Sequence, residues 1–429
     1  MRKHWLDYRK LSIETLLHWG CLLFLVTWAV LQFWDYRYFE YYNDGVSYLD
    51  MADHFRQGDW VGGMSLHWNP LYPVIIAVFF GAILPSAFHE FAALKLLNLS
   101  IFFILLASFE YFLHIWLQLY NDQMREESRS EVFTHRIWFF IGHALFAYSF
   151  LCLNNIGTDT PDMLAAALMF TAFAIFLKIL RGYGTFRSFF LFGCITGIAY
   201  LAKNASLLCL VACMPFLCRQ RFKTHKFWQK FIIAIAALLI VISPYIIYLS
   251  KQAGELILSP AGKLNYVWYV QERNANIYAQ GNQPLRLSLQ HPIRQIFFKP
   301  DVFEFAKPLQ ATYPPWFDPY YWFQGCKIHF SPSGLIITAA CNMTFYFLVF
   351  FLPCLIVAVV IYLLNRSPIV SAQSLVSNAI LFVPALIGFL QYMCVINLIA
   401  VFPVFTTRYF SVFIILFVFA ALTCAVVPA

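Results

Sequence analysis

Apolar residues in this chain come in long, nearly uninterrupted runs. They fall at about 14–33, 71–84, 91–119, 137–153, 161–180, 189–202, 205–217, 231–250, 336–364, 374–398 and 409–427. Most approach the roughly 20 residues that a helix needs to cross a bilayer. The run at 71–84 is shorter and is bracketed by Pro70, Pro73 and Pro85, which suits an interfacial or re-entrant helix. Setting it aside leaves about ten spans and puts both termini on one side. The pattern predicts an all-α polytopic membrane protein with juxtamembrane helices and one large loop. The chain divides into a transmembrane core at 1–250, an aromatic-rich loop at 251–335 and C-terminal transmembrane helices at 336–429. Within the core, 34–70 reads as an acidic first loop and 71–84 as the interfacial helix.

Composition supports this: 61% of residues are hydrophobic, 12% are charged, and the mean hydropathy is +0.67. The basic start, Met1-Arg2-Lys3-His4, precedes an apolar stretch with no small-x-small cleavage signal behind it, so it reads as a retained anchor. The net charge of +8 does not point to nucleic acid. In the ten-span arrangement, sixteen Lys and Arg fall in loops on the side of the termini. Only Arg37, Arg56, Lys95, Lys203 and Arg408 fall on the other, outside the long loop. That bias places both termini in the cytoplasm. Nine of the eleven cysteines, Cys209 and Cys213 among them, lie within predicted helices and read as small packing residues. Cys326 stands in the long loop without an obvious partner, and no zinc spacing appears.

Carboxylates are scarce, so their clustering matters. Asp35, Glu40, Asp44, Asp50, Asp53 and Asp59 follow the first span, and Asp159-Thr160-Pro161-Asp162 opens a later one. Both groups land on the non-cytoplasmic face. Residues 46–57 predict a short helix whose Tyr48, Leu49, Ala52 and Phe55 share one face, laid on the membrane with Asp44 at its N-terminal end. Asp44 can serve as a general base or only as the helix cap, and the residues leave both open. Asp159 can cap the helix that Pro161 opens. A second acid so close leaves Asp159 or Asp162 for contact with a sugar, an acceptor or a divalent cation.

The cations on the same face are Lys203, between two short apolar segments, and Arg408, opening the last one with Tyr409 beside it. Either can hold a phosphate or simply snorkel at the boundary. His67 and Trp68 precede Asn69-Pro70, and a lone histidine is most often structural. The long loop carries Tyr313-Pro314-Pro315-Trp316 and Trp322, ring faces that can stack on sugars or sit among headgroups.

With these residues in view the chain resembles the GT-C superfamily of polyprenyl-phosphate-dependent glycosyltransferases. The likeness is nearest to the family 39-like, protein mannosyltransferase-like and aminoarabinose transferase-like bacterial members. Asp44-Gly45-Val46-Ser47-Tyr48, Ala52 and Gly58-Asp59-Trp60 resemble the first-loop motif. Asn69-Pro70-Leu71-Tyr72-Pro73 is similar to the Pro-Pro-Leu-Tyr run of the juxtamembrane helix, with Asn69 in place of a proline. Asp159-Thr160-Pro161-Asp162, the Gly197–Lys203 stretch and Arg408-Tyr409 resemble later acidic, Lys and Arg positions.

The resemblance implies an inverting sugar transfer from a polyprenyl-phosphate donor at the outer face of a bacterial inner membrane. It implies Asp44 as the catalytic base, with Asp159 and Asp162 beside it. Lys203 and Arg408 would lie near the lipid phosphate, and Tyr48, His67, Tyr409, Trp316 and Trp322 would line the substrates. Asp44 is then expected to face a cavity within side-chain reach of Asp159 or Asp162. The acceptor, whether glycan, lipid or protein, is left unnamed. Two other classes share these features: a transporter or lipid flippase, for which Glu110 is the main intramembrane candidate, and a non-catalytic assembly subunit of the same fold.

Overall fold

A computed structural model describes residues 13–39, 44–65, 68–126, 135–211, 213–218, 225–259, 293–298, 301–305 and 330–346, with five further positions between 412 and 419. Its elements are α1 (Ile13–Tyr36), α2 (Asp44–Arg56), α3 (Leu71–Ile83), α4 (Glu90–Glu126), α5 (His135–Ala147), α6 (Asp162–Lys178), α7 (Phe186–Ala202), α8 (Asn204–Val211), α9 (Met214–Cys218), α10 (Phe227–Ala253) and α11 (Pro332–Tyr346). The described part of the long loop adds one element that the sequence pattern does not show. Strands β1 (Ile293–Phe298) and β2 (Asp301–Phe305) form an antiparallel hairpin, with Phe298 opposite Asp301.

The chain folds as a polytopic helical membrane protein. Four described helices are long and apolar enough to cross a bilayer: Thr15–Tyr36, Glu90–Asp122, Asp162–Tyr183 and Phe227–Ala253. The helix at 71–83 is 13 residues long, in agreement with the short segment expected there. Proline closes α3 off at its start, and Leu84 ends it in a left-handed conformation at φ 49°. The order of the layers follows from burial. In α6, 83% of the most apolar window is buried, against 17% in α1. Among the described helices α6 is therefore central, with α4 along one side and α7 along another, while α1 is peripheral.

α7 and α10 pack closely through a seam that sequence reading passed over, Gly193-Cys194-Ile195-Thr196-Gly197. A side chain at Gly193 would run into the carbonyl oxygen of Ala234, and one at Gly197 would come 2.8 Å from Val241 Cβ. Small residues four apart let two helix backbones approach in a bilayer, where packing rather than water drives association. Gly193→Ala must push α7 off α10. Overpacking of this kind costs about 1–3 kcal/mol. The expected loss is readable as a lower unfolding midpoint in detergent, with Gly20→Ala, which meets open space, as the silent control.

Candidate active site

Following the helices end to end, the close of α1, the whole of α2, the starts of α3 and α4, the 154–162 loop, the α7–α8 junction and the close of α10 meet at one end of the bundle. Local sequence explains why each irregular piece sits there. α5 leaves its helical geometry at Tyr148–Leu153 through a wider π turn and stops at Asn154, which is extended. Such turns free backbone groups and recur at functional sites. The loop then bends closely around α1. Gln32 donates to the Leu151 carbonyl at 2.6 Å, and a side chain at Gly157 would strike the Tyr36 ring. α6 starts at Asp162 behind Pro161. α7 ends because Lys203 is extended, at φ −157° and ψ 121°, before α8 resumes.

At the centre of this end lies a buried ion pair. Lys95, on the second turn of α4, points its ammonium at Asp159 and donates to the Gly157 carbonyl at 2.8 Å. Both side chains are fully buried. The second oxygen of Asp159 accepts from Asn98 Nδ2 at 2.8 Å, and Asn98 in turn accepts from the Tyr72 hydroxyl at 2.6 Å. A relay of polar contacts thus joins α3, α4 and the 154–162 loop. It also corrects one expectation. Asp159 does not cap α6, whose N-cap is Pro161 and carries no side-chain capping bond.

The second acid of the step behaves differently. Asp162 pairs with Lys203 across the break between α7 and α8, while its other oxygen accepts from Thr160. Lys203 keeps 18% of its side chain exposed and Asp162 only 4%, so the open side of the pair is the lysine's. The break itself is held from above by Asn69, which donates to the Tyr200 carbonyl at 2.8 Å and to Asn204 Oδ1 at 2.6 Å. A proline at position 69 could make neither bond. Tyr200 and Asn204 then tie the junction to Leu258 and Ser259, just past α10.

Asp44 is half-buried and stands in the first turn of α2, where a negative charge meets the positive end of the helix dipole. α2 begins two residues earlier than the sequence suggests. Its apolar face is as expected, with Tyr48, Leu49, Ala52 and Phe55 all buried, but it is covered by protein. α2 packs on α3, and the Tyr48 ring meets Trp68 at 5.4 Å and Tyr72 at 5.2 Å. The face expected to lie on the membrane therefore faces α3. Beyond α2 the chain turns at Asp59. The Gly62 backbone N–H, at 2.9 Å, and the His54 ring hold its carboxyl below its ordinary value.

The structure thus gathers Asp44, Tyr48, Asp159, Asp162 and Lys203 at one end of the bundle. His67, Trp316, Trp322, Arg408 and Tyr409 lie outside the described residues. Asn98 is absent from the sequence-based expectations, Lys95 stands there only as a boundary cation, and Asn69 and Tyr72 appear there only within a motif, with no partners assigned. Among the described residues, His and carboxylate groups close enough to share one ion are found at His18, Glu110 and His143, away from the acidic step.

No protein-family model matches the chain, and no curated protein matches it. Two solved structures of ArnT are similar to it. One is ArnT from Cupriavidus metallidurans bound to undecaprenyl phosphate, at TM-score 0.49 and 13% identity, covering 94% of this chain and 60% of that one. The other is the same protein in the apo state, at TM-score 0.38 and 14% identity, covering 95% and 76%. This chain thus spans about 60% of the length of the first. At this level of similarity the likeness assigns no residue and no chemistry.

Proposed function

We propose that this protein is an integral-membrane glycosyltransferase that moves a sugar from a polyprenyl-phosphate donor to an acceptor at the non-cytoplasmic face, in a bacterial inner membrane with both termini cytoplasmic. The observation that carries the reading is the placement of a partly exposed lysine, Lys203, paired with Asp162 at a helix break, at the same end of the bundle as the acidic helix α2. A donor with a lipid tail must reach its site from the bilayer, and helix ends at a membrane face give that access.

In this mechanism Asp44 takes the proton of the acceptor hydroxyl as the hydroxyl attacks the anomeric carbon. The bond from that carbon to the phosphate oxygen breaks, and negative charge grows on the phosphate. Lys203, joined by Arg408, meets that charge. An ammonium already set in place by Asp162 loses little freedom on meeting the phosphate. Asp159 positions rather than reacts, because its two oxygens are engaged by Lys95 and Asn98 in a site closed to solvent. Tyr48 lines the wall of α2, and His67, Tyr409, Trp316 and Trp322 contribute to substrate contact. The acceptor is a glycan, a lipid or a protein.

Two measurements test this reading. Purified chain, given labelled polyprenyl-phosphate sugar and membranes as acceptor source, is expected to release polyprenyl phosphate and label the acceptor. Absence of both with every donor sugar tried overturns it. Topology gives the second. A cysteine placed at Trp60, which is 58% exposed, should react with an impermeant reagent added from outside, and one at Tyr183, 67% exposed at the other end, should not. The reverse pattern places the site on the cytoplasmic face.

A further inference from the structure

Glu110 lies twenty residues into α4, roughly 30 Å from its start at a rise of 1.5 Å per residue, and so far from the site above. An ionisable group inside the apolar span Glu90–Asp122 is costly and needs partners. It has two, from two other helices. His143 of α5 places Nε2 2.6 Å from one carboxylate oxygen, and His18 of α1 places Nε2 3.6 Å from the other. The candidate ligand atoms of the three residues all lie within 4.8 Å of one another.

The surroundings orient these groups. His143 is 3% exposed, and its Nδ1 donates to the Phe139 carbonyl at 2.7 Å. That bond fixes the tautomer and leaves Nε2, a buried atom that no hydrogen bond engages, beside an equally unengaged oxygen of Glu110. A backbone carbonyl behind a ligating imidazole is the usual outer partner of a metal-bound histidine. Phe139 stacks on His143 and meets the His18 ring edge-on at 5.1 Å, so both rings are held by aromatic packing. One imidazolium would suffice to neutralise the carboxylate. The second histidine, brought to the other oxygen by a third helix, is what a three-ligand cation site adds. The cluster borders a cavity of about 950 Å³, also lined by Cys21, Phe24 and His114, which leaves room for a further ligand.

The geometry points to a divalent transition-metal site, of the zinc class, formed by His18, Glu110 and His143. Two imidazoles and one carboxylate suit a first-row transition metal and not magnesium or calcium, which prefer all-oxygen shells. Bonds of about 2.0–2.2 Å to three such ligands need shifts of under an ångström or so from the present spacing. Its physical role is a staple. Among the described residues α1 buries little of its surface and packs mainly on α4 and α5, and the three ligands come from those three helices.

The test uses tag-free full-length protein in detergent with Zn²⁺ or Co²⁺ as the probe. About one Zn²⁺ per chain is expected, removed by chelator with a drop in the unfolding midpoint. Co²⁺ should give the visible absorption of a tetrahedral or five-coordinate N/O site. His18→Ala and Glu110→Gln should each weaken Zn²⁺ affinity at least tenfold, and His114→Gln should leave it unchanged. The Co²⁺ spectrum of the unaltered chain answers even where a variant fails to fold. No bound Zn²⁺, no Co²⁺ band, or equal affinity in folded His18→Ala would overturn the proposal and leave a proton-bridged Glu110–His143 pair.

Discussion

Lys95→Met lowers the stability of the folded chain by about 3–5 kcal/mol, the cost of leaving one buried charge without its partner. Lys95 and Asp159 are both fully enclosed, so water cannot repair the loss. The ammonium also satisfies the Gly157 carbonyl, which methionine cannot do. Adding Asp159→Asn removes the orphaned charge and keeps an acceptor for Asn98. The double variant should therefore recover most of the stability. An unfolding titration of the two variants in mixed detergent measures both. Equal losses in the single and double variants would mean that the pair contributes packing and not charge. The result bears on function because the pair fixes the 154–162 loop that carries Asp162.

Asp44→Asn is expected to reduce sugar transfer by about 10²–10⁴-fold, the usual contribution of a general base. Asparagine keeps the size and the helix-start preference of aspartate, and the lost charge at the first turn of α2 costs about 0.3–1 kcal/mol. The folded protein should therefore remain abundant. This separates the two roles that the sequence left open. If the variant transfers sugar at a near-normal rate, Asp44 only supports the start of α2, and the base must be another acid of the loop.

Much of the architecture was legible because long apolar runs permit few alternatives. The break after Ala202, the short helix after Pro70 and the start of a helix behind Pro161 were all marked by local chemistry. The apolar face of α2 was legible too, but not what covers it, since membrane and protein demand the same residues. The buried pair was harder to see. Lys95 reads as a boundary cation because it stands near the end of an apolar run, and its partner is 64 residues away. The signal that could have revealed it is its spacing from Asn98, three residues on, which puts two polar groups on one face of an otherwise apolar helix. Asn69 was visible as a departure from a proline pair. Its reason, two bonds to the α7–α8 break, exists only in the folded chain.

Under the proposed function a polyprenyl phosphate docks at the end of the bundle that holds α2 and Lys203. A polyprenyl phosphate carrying a photoreactive group in its first isoprene units, crosslinked to the protein in membranes and mapped by peptide, tests it most directly. The expected adducts lie in 44–56, in 154–162 and around Lys203, are competed away by unmodified polyprenyl phosphate, and fall in Lys203→Met. Adducts confined to the opposite end, around 178–187, or adducts at the expected peptides that Lys203→Met leaves unchanged, would contradict it.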